Sequence, residues 1–175
     1  MSDDWRSNPC QSRVPTELLL IRHGQSEANV GHSTDPDCLL TETGIQQARE
    51  LGAQLAAQDV SRFHLLVSPY RRTLHTAAEI TKAIGRSFVV DERIREWGET
   101  AIVDGKKYRN ETTGELVERL RGFLLNQAGR KLVVVSHAAP IAVLTQLGNG
   151  TTPNTQGQFW IGVENCCLRR VIGLG

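Results

Sequence analysis

The chain has 175 residues, 39% of them hydrophobic and 22% charged, with 20 basic against 19 acidic side chains and a formal net charge of +1. This length and composition suit one globular domain with a sizeable core, and the near-neutral balance excludes bulk attraction to nucleic acid or to an anionic membrane. With so little net charge, any affinity for anions must come from a local cluster of arginines, and no apolar run approaches the length of a membrane span.

Residues 1–15 are polar, carry Asp3, Asp4, Arg6 and Arg13, and lack the apolar centre of a signal peptide. They read as a flexible tail ahead of one domain over residues 16–175. Cys10, Cys38, Cys166 and Cys167 form no C-x-x-C pair and no zinc-type spacing. They read as reduced thiols of a cytoplasmic protein.

Leu18–Ile21 is a short apolar run ending at Arg22-His23-Gly24, as a buried strand that feeds a turn. Thr41 is a helix N-cap with Glu42 in the first turn. Ile45, Ala48, Leu51, Leu55 and Ala56 then fall at helical spacing, which predicts a helix over 42–58. A second strand, His64–Val67, stops at Ser68-Pro69. A helix follows with Leu74, Ala77, Thr81 and Ile84 on one face and Gly85 as its stop. Ser87–Val90 reads as a third strand leading to Ile94-Arg95-Glu96-Trp97-Gly98, and residues 99–110 as a loop. Glu111–Gln127 reads as a helix with Leu116, Leu120, Phe123 and Leu124 facing in. Leu132–Val135 is the strongest strand signal, running into Ser136-His137-Ala138 and a helix through Leu147. Residues 148–155 are turn-rich, and two closing strands are expected near 157–163 and 166–173.

Strands alternating with helices imply an α/β fold, a three-layer α/β/α sandwich with a mostly parallel central sheet. In such sheets ligands bind beyond the carboxyl ends of the strands. Three of those ends deliver Arg22-His23, Ser68 to Arg72, and Ser136-His137 to one edge. That set suits phosphoryl chemistry. Guanidinium groups match phosphate oxygens and stay charged. A neutral imidazole nitrogen can attack phosphorus. Helix N-termini after each strand add N–H donors. There is no metal motif and no phosphate-binding G-x-x-x-x-G-K-[ST] loop, so a mechanism without metal or cofactor is the simpler expectation.

At these residues the chain resembles the histidine phosphatase superfamily, the phosphoglycerate mutase-like family. Arg22-His23-Gly24-Gln25-Ser26-Glu27-Ala28-Asn29 resembles R-H-G-x-[ST]-x-x-N. Leu40 to Ala48 resembles L-T-x-x-G-x-x-Q-A, and Ser68 to Ala77 resembles S-P-L-x-R-[AT]-x-x-T-A. Ile94-Arg95-Glu96 is similar to L-x-E, Gly114-Glu115 to a G-E-S helix start, and Val134 to Ala138 to V-[ST]-H-G. The resemblance implies a phosphoglycerate mutase-like fold. It implies His23 as a nucleophile that is phosphorylated during turnover, with Arg22, Arg72 and His137 completing the phosphate pocket. Glu96 becomes the proton donor, with Glu99 its rival. Ser26, Asn29 and the backbone N–H of Ala138 are further phosphate or substrate contacts. The family pattern favours Arg72 over Arg71. Its usual Gly after the second histidine is Ala138 here, which would reduce activity if a Gly-only conformation were needed.

The implied activity is a metal-independent phosphatase acting on a phosphorylated small molecule or a phosphoprotein, with no nucleic-acid or membrane partner. A phosphoglycerate mutase is the first alternative, and a non-catalytic phosphate-binding protein the second. The short Trp97–Thr113 segment favours hydrolysis and an open pocket. Other readings attach to single residues: ion pairs of Arg22 or Arg72 with Glu27 or Glu96, a turn at Asn29 and Gly31, and packing by Trp97, Phe159 and Trp160. His32, His64 and His75 read as surface or partly packed. A homodimer is compatible with the sequence but not demanded by it.

Overall fold

A computed structural model describes residues 17–98, 101–154, 156 and 162–172. In chain order its elements are β1 (Glu17–Arg22), α1 (Glu42–Ala56), β2 (Phe63–Val67), α2 (Arg71–Ile84), β3 (Val89–Val90), β4 (Ala101–Val103), β5 (Lys106–Tyr108), α3 (Thr113–Leu125), β6 (Lys131–Ser136), α4 (Ala138–Gly148) and β7 (Leu168–Ile172). Short 3-10 turns occupy Glu27–Val30 and Glu92–Ile94.

The main sheet has the order β3-β2-β6-β1-β7. β1, β2, β3 and β6 run parallel, and β7 closes the edge antiparallel to β1. Alternation along the strands makes two cores, because successive side chains point to opposite faces. Leu18, Leu20, Leu132 and Val134 pack under α3 and α4 with Phe123, Ile141 and Leu144. Leu19, Ile21, Val133 and Val135 pack under α1 and α2 with Leu51, Leu55 and Ile80. The result is the expected helix–sheet–helix sandwich. Among the described residues no helix is long and apolar enough to cross a membrane.

Differences from expectation are local. β3 keeps only two residues, both exposed, at the sheet edge. Ala56 ends α1 on its exposed side. On the expected face of α2 Ala77 is fully buried, as is Ile80, whereas Leu74, Thr81 and Ile84 are only half-buried. α3 begins later than Glu111, at the N-cap Thr112, whose side chain accepts from Glu115 N in a capping box. The expected loop 99–110 instead contains the β4–β5 hairpin, paired Ala101↔Tyr108 to Val103↔Lys106. Its two-residue turn is Asp104-Gly105, with φ of 49° and 73°. Asp-Gly with both residues left-handed is the turn whose twist suits a hairpin. Ala101, Val103 and Tyr108 pack on Tyr70, which fixes the hairpin beside the start of α2. Of the first closing strand, Gly162 and Val163 belong to no strand. The rest of that segment, with Phe159 and Trp160, lies outside the described residues, as do residues 1–15 and Glu99.

Candidate active site

The order β2-β6-β1 sets three polar strand ends side by side. Ladder hydrogen bonds continue past the strands. His23 N donates to Ser136 O at 3.0 Å, and Ser68 N donates to Val135 O at 3.0 Å. Both histidines are thereby buried at one edge, His23 2% exposed and His137 fully covered. Their rings meet edge-on with centroids 5.3 Å apart.

The His23 ring has one available tautomer. Nδ1 lies 2.7 Å from Gly24 O, a pure acceptor, so Nδ1 carries the proton. Nε2 accepts from Arg72 Nε at 3.1 Å, so Nε2 holds the lone pair. Arg72 engages all three of its nitrogens. Its second donates to Pro36 O, and its third lies 3.6 Å from Glu96 Oε2. Its guanidinium also stacks 4.8 Å above the ring of Tyr70.

His137 Nε2 lies 2.7 Å from Ser68 Oγ, and its Nδ1 lies 3.4 Å from Glu96 Oε2 without a hydrogen bond. Glu96 therefore sits between Arg72 and His137. Burial raises its carboxyl pKa above the usual range, and the Arg72 charge only partly opposes this. Its neighbours are held firmly. Ser136 Oγ donates to Ile94 O at 2.7 Å, and Arg119 donates to the carbonyls of Arg93 and Arg95. Arg119 and Arg95 are both paired with buried Glu111.

Burial pushes both histidines well below the ordinary imidazole range, His23 further by the Arg72 charge and His137 by Arg72 and His23. Below about pH 6.5 the unfolded chain binds two protons that the native chain refuses, so stability falls with pH at up to ~2.7 kcal/mol per unit. Glu96 acts with the opposite sign, because its raised value lets the native chain bind a proton first. Urea midpoints measured between about pH 5 and 8 are expected to fall towards acid, with a smaller slope in His137→Gln. A flat profile would contradict the buried neutral pair.

The other expected site residues have definite places. Arg22 is half-buried, donates to Val163 O at 2.6 Å, and leaves its buried Nε without a hydrogen bond. It pairs with neither Glu27 nor Glu96, whereas Arg72 does approach Glu96. Ser26 is buried with Oγ unbonded. Asn29 is exposed, and its Oδ1 accepts from Ser26 N at 3.0 Å and from Asn165 Nδ2 at 3.1 Å. Ala138 opens α4 and is absent from the positive-φ residues, so alanine brings no backbone strain there. The first turn of α4 has N–H groups without intrahelical acceptors, aimed at the strand edge. His32 and His64 are exposed, His75 is half-buried, and Trp97 packs against the α3–α4 core. Cys38, Cys166 and Cys167 are free thiols, and burial raises Cys166 to about 12.

Three contributors were not singled out from the sequence. Asp37 Oδ1 accepts from Arg71 N at 2.7 Å and so caps α2. Glu111 braces the Glu96 segment, and Asn165 reaches the His23 backbone. None of them stands in a recognisable motif. Among the described residues no group of three or more His, Cys, Asp or Glu side chains is arranged to hold a metal ion.

A protein named probable phosphoglycerate mutase GpmB from Erwinia tasmaniensis is 29% identical over 186 residues, covering 89% of this chain and 84% of its own. Phosphoglycerate mutase-like protein AT74 of Arabidopsis thaliana is 37% identical over 98 residues, covering 49% of this chain and 31% of its own. A mycobacterial glucosyl-3-phosphoglycerate phosphatase shares the fold with a TM-score of 0.68 at 21% identity, over 89% of this chain and 90% of that one. Phosphoserine phosphatase from Entamoeba histolytica, solved with 3-phosphoglyceric acid, gives 0.62 at 21% identity, over 88% and 89%. The family model described as histidine phosphatase superfamily (branch 1) matches residues 18–121, from β1 through the body of α3, and the chain belongs to that superfamily.

Proposed function

We propose that the protein is a phosphohydrolase that cleaves phosphomonoesters through a phosphohistidine on His23, with Glu96 as proton donor. The observation that carries this reading is the ring of His23. Its Nδ1–H is tied to Gly24 O, and its Nε2 lone pair faces Arg72. An incoming phosphoryl group takes the Arg72 donors from Nε2 onto its own oxygens, with Arg22, His137 and the α4 amides as further donors. The Nε2 pair forms the P–N bond while the ester P–O bond breaks. The leaving oxygen takes the Glu96 proton and departs as the alcohol. Glu96, now a carboxylate, takes a proton from water as that water attacks phosphorus. The P–N bond breaks, its electron pair returns to Nε2, and inorganic phosphate leaves with Glu96 again protonated.

Two observations favour hydrolysis over isomerisation. Glu96 keeps 28% of its side chain exposed, so water reaches the acid. The described chain between Glu96 and α3 makes one short hairpin, little material for a cover that excludes water. The GpmB relatives carry the mutase name, so phosphoglycerate isomerisation is the competing reading. The substrate class is a phosphorylated small molecule or a phosphoprotein, and residues 16–175 act as one domain. A cytoplasmic setting belongs to the same proposal.

The test is a panel of phosphate esters that includes 3-phosphoglycerate, read for inorganic phosphate and for 2-phosphoglycerate. Phosphate release supports the phosphatase. Conversion to 2-phosphoglycerate with little phosphate would replace it by a mutase. Binding of phosphate analogues without turnover would leave a phosphate-binding protein. Glu96→Gln sharpens the assignment. Alkyl phosphates, whose leaving groups need a proton, are expected to lose about 10²- to 10⁴-fold, and para-nitrophenyl phosphate far less. Equal losses on both substrates would remove Glu96 from the donor role.

A further inference from the structure

The segment Val163–Cys166 lies beyond the residues that match the family model, yet it makes four polar contacts with the strand end that carries His23 and a fifth with Asn29 in the turn that follows. Val163 O accepts from the Arg22 guanidinium at 2.6 Å. Cys166 N donates to Arg22 O at 3.0 Å and, more weakly, to His23 O at 3.3 Å. Asn165 spends both hydrogens of one amide nitrogen, on His23 O at 2.9 Å and on Asn29 Oδ1 at 3.1 Å. Asn29 Oδ1 in turn accepts from Ser26 N at 3.0 Å. Cys166 adopts φ of 50°, a left-handed conformation that non-glycine residues enter only when the surroundings hold them there. Its half-buried side chain packs against the α1–α2 core and anchors the segment there.

The consequence for His23 is full restraint. Its N–H is held by Ser136 O, its ring by Gly24 O, and its carbonyl by Asn165 together with Cys166 N. A single side-chain amide thus joins the peptide of the nucleophile to the Ser26–Asn29 turn that follows it. The geometry points to Asn165 as a positioning residue that fixes the direction of His23 Nε2, with the Val163–Cys166 strap as its mount. This inference rests on His23 being the nucleophile. Asn165 donates to neither His23 Nε2 nor the phosphate donors, so it acts through the His23 carbonyl and the Asn29 side chain.

Attack on phosphorus requires alignment of the lone pair with the breaking bond, and a displacement near 1 Å costs about 10²-fold. Asn165→Ala removes both donated bonds. Asn165→Asp keeps the shape but points carboxylate oxygens at two acceptors, His23 O and Asn29 Oδ1. The readout is the single-turnover rate of acid-labile phosphoenzyme formation at saturating para-nitrophenyl phosphate, far below each variant's unfolding midpoint, together with KM. The expected result is a rate lower by about 10- to 100-fold in Asn165→Ala, at least as large a loss in Asn165→Asp, and KM within about threefold. Exposed Glu164→Ala, on the same strap, keeps the wild-type rate. Phosphorylation within twofold of wild type in both Asn165 variants, with His23→Ala inactive, overturns the positioning role and leaves the phosphatase reading intact. A loss in rate matched by an equal loss of folded protein overturns it as well. Phosphoenzyme formed by His23→Ala would overturn the nucleophile itself, and the inference with it.

Discussion

His23→Ala is expected to lower phosphate release by about 10⁴-fold or more and to leave no acid-labile phosphoenzyme. The size follows from what the ring supplies. It holds the imidazole lone pair that accepts from Arg72 within a buried, cationic edge, and the double-displacement route ends without it. Removing the nucleophile of a covalent mechanism leaves only what the phosphate donors and Glu96 can do with water, a residual rate small beside the intact enzyme. Stability should change far less. The substitution gives up the hydrogen bonds to Gly24 O and Arg72 Nε, but it also removes a neutral, desolvated imidazole whose burial opposes folding towards acid pH. A midpoint close to wild type, together with retained binding of phosphate analogues, separates lost chemistry from lost structure. Turnover above about one per cent of wild type would mean that another group attacks phosphorus.

The parts of this site that could be read from sequence are those where a polar residue abuts a strong apolar run. Leu18–Ile21 and Leu132–Val135 announce buried strands, so Arg22-His23 and Ser136-His137 had to emerge at strand ends. The pair Arg71-Arg72 was legible at this edge because Ser68-Pro69 stops a strand and begins a helix, and only the resemblance to the family pattern separated Arg72 from Arg71. The contributions of Asp37, Glu111 and Asn165 were not legible. Each acts through side-chain reach across the fold: Asn165 lies 142 positions from the carbonyl it holds, and Glu111 meets Arg95 and Arg119 from the rim of a helix. The β4–β5 hairpin escaped for a different reason. Its strands have three residues each, too short to establish an alternation, and Lys106-Lys107 breaks the apolar pattern. The Asp104-Gly105 turn was the one available signal. The helix faces were legible only in outline. Period alone put Ala56 inside, whereas the end of α1 turns it to solvent.

Gly44→Ala is the substitution expected to do most harm per atom added. The turn after His23 lies backbone against backbone on the first turn of α1. A Cβ on Gly44 would run into the carbonyl oxygen of Gln25, and would lie 2.8 Å from its nitrogen and 2.9 Å from its carbonyl carbon. Reciprocally, a Cβ on Gly24 would strike the carbonyl of Gly44. Neither glycine has a left-handed φ, so the requirement is for space rather than for torsional freedom. The contact is also stitched by hydrogen bonds. Thr41 N donates to Gln25 O at 3.0 Å, Gln25 N to Gln47 Oε1 at 2.8 Å, and Gly24 N to Thr76 Oγ1 at 3.0 Å. One methyl group must therefore push the loop from α1 and loosen those bonds together. Overpacking costs about 1–3 kcal/mol and each weakened hydrogen bond about 1 more, so a loss of about 3 kcal/mol in urea unfolding is expected. Activity of the folded fraction should fall as well, because the displaced loop carries Gly24 O, the group that sets the His23 tautomer. Gly122→Ala supplies the contrast. That glycine lies within α3, where an added Cβ meets nothing within 4 Å. The same chemical change there should stabilise by about 0.5–1 kcal/mol through helix propensity. Opposite signs for the two alanines would show that the glycine packed on the His23 loop is kept for contact; equal signs would show that this loop yields more easily than its backbone packing requires.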